Sequence, residues 1–173
     1  MILMILATGC SGPENDLRPG EVQVSWAGRA TGGMRAAAEA LVCGETGLVT
    51  LMAIAGDSAF GILFHPADST GLPAGSYPVL PGGTDPMPRP GANLAVRWLD
   101  RGSMEVFEAA GGDVTVSSED RGGRSGTFRA TLNALERSDT LALEGRFRQV
   151  PLADAGPGCG TMMRRNRTGR VDG

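Results

Sequence analysis

Apolar and polar residues alternate along the C-terminal half of the chain, between residues 112 and 151. In each of two segments, every second residue falls on one face. These residues are Phe128, Ala130, Leu132 and Ala134 in the first segment, and Leu141, Leu143, Gly145 and Phe147 in the second. Successive side chains of a strand point to opposite faces, so this period of two predicts half-buried strands. A shorter segment, 113–118, places Val114 and Val116 inward. Polar turns separate the three segments, so we expect a meander of three strands that Pro151 closes.

The rest of the chain carries further strand patterns. One short edge strand is expected within 72–80. Six further segments alternate or are continuously apolar: 21–27, 34–43, 48–55, 60–65, 92–99 and 103–110. Segment 34–43 is rich in alanine and suits a helix, but its alternation and the flanking Gly33 and Gly44 favour a strand. Segment 48–55 is apolar on nearly both faces, which predicts a central strand. The pattern therefore predicts an all-β fold, a single-domain antiparallel β-sandwich or flattened barrel of about nine strands over 21–160.

The face assignments also predict which side chains form the interior. We expect a core of four residues, Phe128, Leu132, Leu143 and Phe147, with Arg129, Arg146 and Arg148 exposed. If the sheet closes as a barrel around a ligand, the cavity should be lined by four aromatic residues, Trp26, Phe60, Phe64 and Trp98. A packed sandwich predicts no such cavity. A small-ligand carrier is therefore one functional alternative.

Charge and composition exclude one class of partner. The net charge is −3, and every basic residue is arginine. Four of them lie in the C-terminal tail 161–173, which we expect to be disordered: Arg164, Arg165, Arg167 and Arg170. The remaining body is more acidic still, which argues against a nucleic-acid partner.

Catalytic and metal-binding patterns are weak in this sequence. The one histidine, His65, precedes Pro66 and lies near Asp68. A single histidine at a strand end is more often structural or solvent-facing than catalytic, so a periplasmic enzyme that depends on His65 is a minor alternative. Glu119 and Asp120, with Asp113 nearby, offer oxygen ligands for Ca²⁺, but a solvated turn is the favoured interpretation. We therefore predict no catalytic residue, no metal site, no cofactor and no enzymatic activity.

The N-terminus carries an apolar run that ends in Ala7, Thr8, Gly9 and Cys10. Small residues before a cysteine, after an apolar run, resemble the lipobox of bacterial lipoproteins. The resemblance implies that residues 1–9 are a signal peptide and that Cys10 becomes the acylated N-terminus. Residues 10–20 would then form the lipidated cysteine and a flexible tether, since this polar, proline-containing segment has no period. The resemblance also implies that Ser11, where an aspartate would favour the inner membrane, directs the protein to the outer membrane.

The body carries a second resemblance. A Gly75–Tyr77–Val79 pattern, the stretch 112–116, Ser125 to Phe128 and Gly145 to Phe147 are similar to a group of β-rich bacterial envelope lipoproteins without a known activity. This resemblance implies an exported β-sandwich. The expected function is a membrane-anchored envelope lipoprotein, acting as a non-enzymatic binding or structural module. Its expected partner is the lipid bilayer, through acylated Cys10.

The two remaining cysteines, Cys43 and Cys159, are expected to form a disulfide. An exported protein meets an oxidising compartment, where an even pair of thiols is usually bridged. Cys43 lies in a predicted hairpin loop, and Cys159 lies in a glycine-rich segment after the last strand. Two separate thiols are the alternative.

Overall fold

The computed structural model describes residues 17–68, 71–118, 123–157 and 159. These ranges contain ten β-strands, whose bounds are as follows: β1 Glu21–Gly28, β2 Gly32–Cys43, β3 Leu48–Ala55, β4 Ser58–His65, β5 Gly75–Val79, β6 Gly91–Asp100, β7 Ser103–Ser118, β8 Arg124–Ala134, β9 Thr140–Val150 and β10 Leu152–Asp154. The prediction of a single all-β domain is confirmed. The alanine-rich segment of uncertain type is strand β2, as its alternation predicted.

The strands form one sheet that closes on itself. Their order is β1-β9-β8-β7-β5-β6-β4-β3-β2-β10, and a further pairing of β1 with β2 completes the ring. The fold is therefore the barrel alternative of the prediction, since a sandwich would have two separate sheets. Most neighbours are antiparallel, but β5 runs parallel to β6 and β10 runs parallel to β2. Closure requires pairings between distant parts of the chain, such as Glu21 with Arg148 and with Ala37.

Strand β7 corrects two predictions. The segments 103–110 and 113–118 were predicted as separate strands, but they form one strand of 16 residues. A register shift between Ala109 and Gly111 marks a bulge that lets the strand bend and continue. The first half of β7 pairs with β6, and its second half pairs with β5. Strand β5 is therefore not an edge strand, because it fills the space where β7 runs past the start of β6.

The inward faces match the predicted alternation. The four predicted core residues, Phe128, Leu132, Leu143 and Phe147, are at most 2% exposed. Arg129 is exposed as predicted, whereas Arg146 and Arg148 are half-buried. Arg148 loses solvent because its guanidinium Nη1 donates to the carbonyl oxygen of Leu17, 2.8 Å away. The inward and outward faces of β8 and β9 were thus predicted correctly. Arg148 is less exposed than predicted because the N-terminal segment covers it.

Two glycines make space for core rings. Gly126 pairs with Phe147, and Gly145 pairs with Phe128, across the same ladder between β8 and β9. A Cβ atom added to either glycine would collide with the ring of its partner and with the backbone of the next strand. Each ring therefore lies over the glycine opposite it, a cross-strand pairing that keeps a glycine from weakening a sheet.

The two ends of the barrel differ. We call one the turn end, because the connections β1–β2, β3–β4, β6–β7 and β8–β9 are short there. We call the other the loop end. It carries Leu17, the Cys43–Leu48 turn, the segment before β5 and Cys159. Leu72 is fully buried in that segment, and its carbonyl oxygen accepts a hydrogen bond from Arg124 Nε.

Candidate functional site

The predicted disulfide between Cys43 and Cys159 is present at the loop end. The two Cα atoms lie 5.7 Å apart, inside the range of bridged cysteines, and the residues are 116 positions apart in the sequence. Cys43 ends β2, where the turn that follows is closed by a hydrogen bond from the Gly47 amide to the Cys43 carbonyl. The bridge attaches the segment after β10 to the barrel. Both sulfur atoms are used in the bridge, so neither is a thiolate ligand, although Glu45 lies close to them.

The N-terminal segment also enters at the loop end. Leu17 is 3% exposed, and the amide of Gly20 donates to the carbonyl oxygen of Arg148 at 2.7 Å. Residues 17–20 therefore pack against the barrel, although sequence analysis assigned them to the tether. Cys10, the predicted lipidation site, lies outside the described residues, and so do the predicted signal peptide 1–9 and the tail 161–173.

Glu21 fixes the point where this segment becomes strand β1. Its Oε2 atom accepts hydrogen bonds from the Arg18 amide at 2.9 Å and from the Arg35 guanidinium at 2.7 and 2.9 Å. These donors hold the pKa of the Glu21 carboxyl below its ordinary value, the Arg18 amide having the larger effect and Arg35 the next. The carboxylate thus ties the N-terminal segment to β2 when it is ionised.

His65, the candidate residue of the enzyme alternative, ends β4 at the loop end. Its side chain is only 4% exposed. Of the two non-catalytic interpretations, the solvent-facing one is therefore wrong and the structural one fits. Within the possible Ca²⁺ set, Asp113 is exposed on the outer face of β7, while Glu119 and Asp120 lie outside the described residues.

The four aromatic residues that were predicted to line a ligand cavity pack against other aromatic rings. All four predicted lining residues pack against another ring, with centroids 4.8 to 5.2 Å apart: Trp26 on Trp98, Trp98 on Phe107, Phe60 on Phe128 and Phe64 on Tyr77. Packing at this distance is typical of a solid core. The four side chains therefore stabilise the barrel instead of lining a ligand space.

An apolar groove on the outer wall of the barrel is the site that sequence analysis missed. Strand β3 was predicted to be central, and it does have a strand on each side, β4 and β2. Its outer face is nevertheless open, with Met52 44% and Ile54 68% exposed. These two side chains form a ridge. Beside the ridge lies a floor of small residues on β4 and β6, namely Ala59, Gly61 and Ala95. The groove has a volume of about 490 Å³.

The strand register fixes the arrangement of this groove in two rows. One row runs Glu39–Met52–Gly61–Ala95 across β2, β3, β4 and β6. The next row runs Ile54–Ala59–Arg97–Val106 across β3, β4, β6 and β7. Glu39 therefore borders the groove beside the ridge. Arg97 borders the opposite side together with Glu108, which pairs with Ala95 at the end of the first row. In the described ranges, the side chains of Glu39 and Arg97 have no ion-pair or hydrogen-bond partner.

The opposite outer wall is polar. A groove of about 640 Å³ there is lined in part by Ser25, Asp113, Arg129, Thr131 and Glu144. Arg129 Nε lies 3.9 Å from Glu144 Oε2, and the two side chains are 82% and 67% exposed. An exposed pair at this distance contributes little energy, and its charges already have each other as partners. The apolar groove is therefore the better candidate for a binding surface, since exposed contiguous apolar surface usually marks an interaction site.

Comparison with protein-family models, with curated proteins and with solved structures finds no match to this chain. Among the described residues, no helix is long and apolar enough to cross a membrane.

Proposed function

We propose that the protein is a lipid-anchored lipoprotein of the cell envelope, whose barrel is a non-enzymatic binding or structural module. The observation that carries the proposal is the use of the three cysteines. Cys43 and Cys159 are bridged, which is typical of proteins exported to an oxidising compartment. Cys10 is left over, and it follows the lipobox-like residues Ala7, Thr8 and Gly9.

The position of the N-terminal segment supports this proposal. Leu17 and Gly20 are held at the loop end, so an anchor at Cys10 leaves the turn end and the outer wall accessible. The bilayer is the partner through the acylated cysteine. Several acyl chains together give firm attachment, because each buried methylene contributes about 0.8 kcal/mol.

Metabolic labelling with an alkyne fatty acid tests the anchor. The wild-type protein should be labelled, and Cys10→Ala should not. Cys159→Ala is the matched control, since it removes a different cysteine and should keep the label. Equal labelling of the wild type and Cys10→Ala would refute the anchor.

The location within the envelope has its own test. In a host with two membranes, the wild type should fractionate with the outer membrane because of Ser11. Ser11→Asp should shift the protein to the inner membrane. If both forms fractionate with the inner membrane, the outer-membrane assignment is wrong while the anchor stands.

A further inference from the structure

The disulfide places the start of the C-terminal tail on the same outer wall as the apolar groove. On β2 the odd-numbered residues point outward, and those from Gly33 to Glu39 are exposed. Cys43 is also an outward position, yet it is fully buried, and its bridge partner Cys159 is 7% exposed. Cys159 therefore lies over the outer face of β2, and the tail 161–173 leaves the barrel from there.

An apolar strip on β3 connects this point with the groove. The outward side chains of β3 are half-buried at Leu48 and Thr50 and exposed at Met52 and Ile54. Leu48 pairs with Cys43, so the strip begins beside the bridge. Four residue steps separate Leu48 from Met52, which is about 13 Å along a strand.

The first apolar residues after the bridge match this distance. Met162 and Met163 follow Cys159 by three and four residues. Four steps of extended chain span about 13 Å, at 3.3–3.6 Å each, so these side chains can reach Met52. Methionine is unbranched and flexible, and it fills irregular apolar surfaces well.

We propose that Met162 and Met163 dock in the apolar groove of their own chain, against the ridge of Met52 and Ile54. The groove is then an interaction surface that the tail covers, and any other partner must displace the tail to reach it. The first residues of the tail are thus ordered, in contrast to the disorder expected for all of 161–173. The docking does not depend on acylation of Cys10.

The charges along the path also favour the tail. Glu45 lies close to the bridged sulfur atoms, and Glu39 borders the groove beside Met52. Arg164 and Arg165 directly follow the two methionines, so their guanidinium groups can reach the Glu39 carboxylate when the methionines are docked. Such exposed pairs contribute little energy, but they orient the segment in the groove.

The bridge makes even a weak contact effective. It holds Cys159 at the outer wall, which leaves a tether of only three residues before Met163. A short tether gives an effective concentration in the millimolar range. A contact with a dissociation constant of about 1 mM is then already populated about half of the time.

Oxidation by hydrogen peroxide measures how far the groove is covered. Met52 and Met104 form a matched pair within the chain, because they are 44% and 49% exposed in the structure. Met104 lies beside the β6–β7 turn, outside the groove. Initial rates of sulfoxide formation at the two residues can be compared by mass spectrometry of peptides.

In the full chain, Met52 should be oxidised at least about threefold more slowly than Met104, which corresponds to a docked population of about two thirds or more. In a chain that ends at Gly160, which keeps the bridge, the two rates should become similar. Met162→Ser with Met163→Ser should have the same effect as the shortening. Met162→Leu with Met163→Leu should keep Met52 protected, because leucine preserves the apolar contact.

Charge reversal tests the orientation of the tail. Glu39→Arg should speed the oxidation of Met52, and its combination with Arg164→Glu and Arg165→Glu should restore the protection. Glu144→Arg, on the polar wall, is the control and should leave the rate unchanged.

Similar rates at Met52 and Met104 in the full chain would refute the docking. So would a slow rate at Met52 that persists in the chain ending at Gly160, because something other than the tail then covers the groove. If that persistent protection increases with protein concentration, the cover is a second copy of the chain. If it requires phosphatidylglycerol vesicles, the cover is the membrane.

Discussion

Breaking the Cys43–Cys159 bridge should cost this protein a large part of its stability. The bridge joins residues that are 116 positions apart, from the end of β2 to a point beyond β10. In the chain-entropy treatment, a closed loop of this length removes about 5 kcal/mol of conformational free energy from the unfolded chain at 25 °C. A domain of this size loses about 2–4 °C of melting temperature per kcal/mol, so we expect a decrease of about 10–20 °C.

The bridge also has a local effect. Cys43 is fully buried and Cys159 is 7% exposed, so a substitution removes packing as well as the cross-link. Reduction and substitution separate the two effects. Reductant breaks only the cross-link, whereas Cys43→Ala with Cys159→Ala also removes the sulfur atoms. The variant should therefore be less stable than the reduced protein by about 1 kcal/mol or more.

Urea unfolding of the Cys10→Ala chain is the suitable assay, since only the bridged pair of cysteines then remains. Trp26 is buried, and its fluorescence reports loss of the core. The midpoint should fall on reduction while the variant without the bridge shows no response to reductant. A loss below about 1 kcal/mol on reduction would refute the entropic reasoning, because a loop of this length cannot then be restricting the unfolded chain.

Two further substitutions test the core and the N-terminal segment. Phe147→Ala should lower the free energy of unfolding in urea by about 3–5 kcal/mol, because Phe147 is 2% exposed and its ring covers Gly126. Thr127→Ala, beside it on the exposed face, is the control and should lower it by less than about 0.5 kcal/mol. Equal losses would mean that the inward and outward faces are assigned wrongly. Glu21→Gln should lower the melting temperature at neutral pH. Because the folded pKa of Glu21 is depressed, its stabilisation is complete above the ordinary value of 4.5 and is lost as the pH falls through the folded pKa. Melting curves of the two proteins should therefore converge in acid, and a difference that persists there would exclude the carboxylate as the cause.

The strands were predictable because their alternation is local. In β8, and in β9 as far as Phe147, the period of two is kept, and the core residues Phe128 and Phe147 follow directly from it. A register shift after Phe147 then buries Val150 out of phase. In β2 the alternation outweighed the helix propensity of the alanines, since the closed sheet gives β2 neighbours on both sides, β1 and β3, and propensity is a weak preference.

Closure was not predictable from the same pattern. It depends on β1 pairing with β9 and with β2 at once, and on β7 staying continuous through the bulge at Ala109 and Gly111. Gly111 and Gly112 interrupt the alternation between the segments 103–110 and 113–118, so the sequence pattern divided β7 into two strands. A bulge and a turn both use residues without bulky side chains, and the pairing partners alone distinguish them.

The outer apolar groove was missed although its signal was present. Met52 and Ile54 occupy the outward positions of β3, and sequence reasoning took apolar residues on nearly both faces to mean only that the strand is central. The same pattern arises when the outer face binds another protein. The two interpretations differ only in what covers the strand, which alternation does not encode.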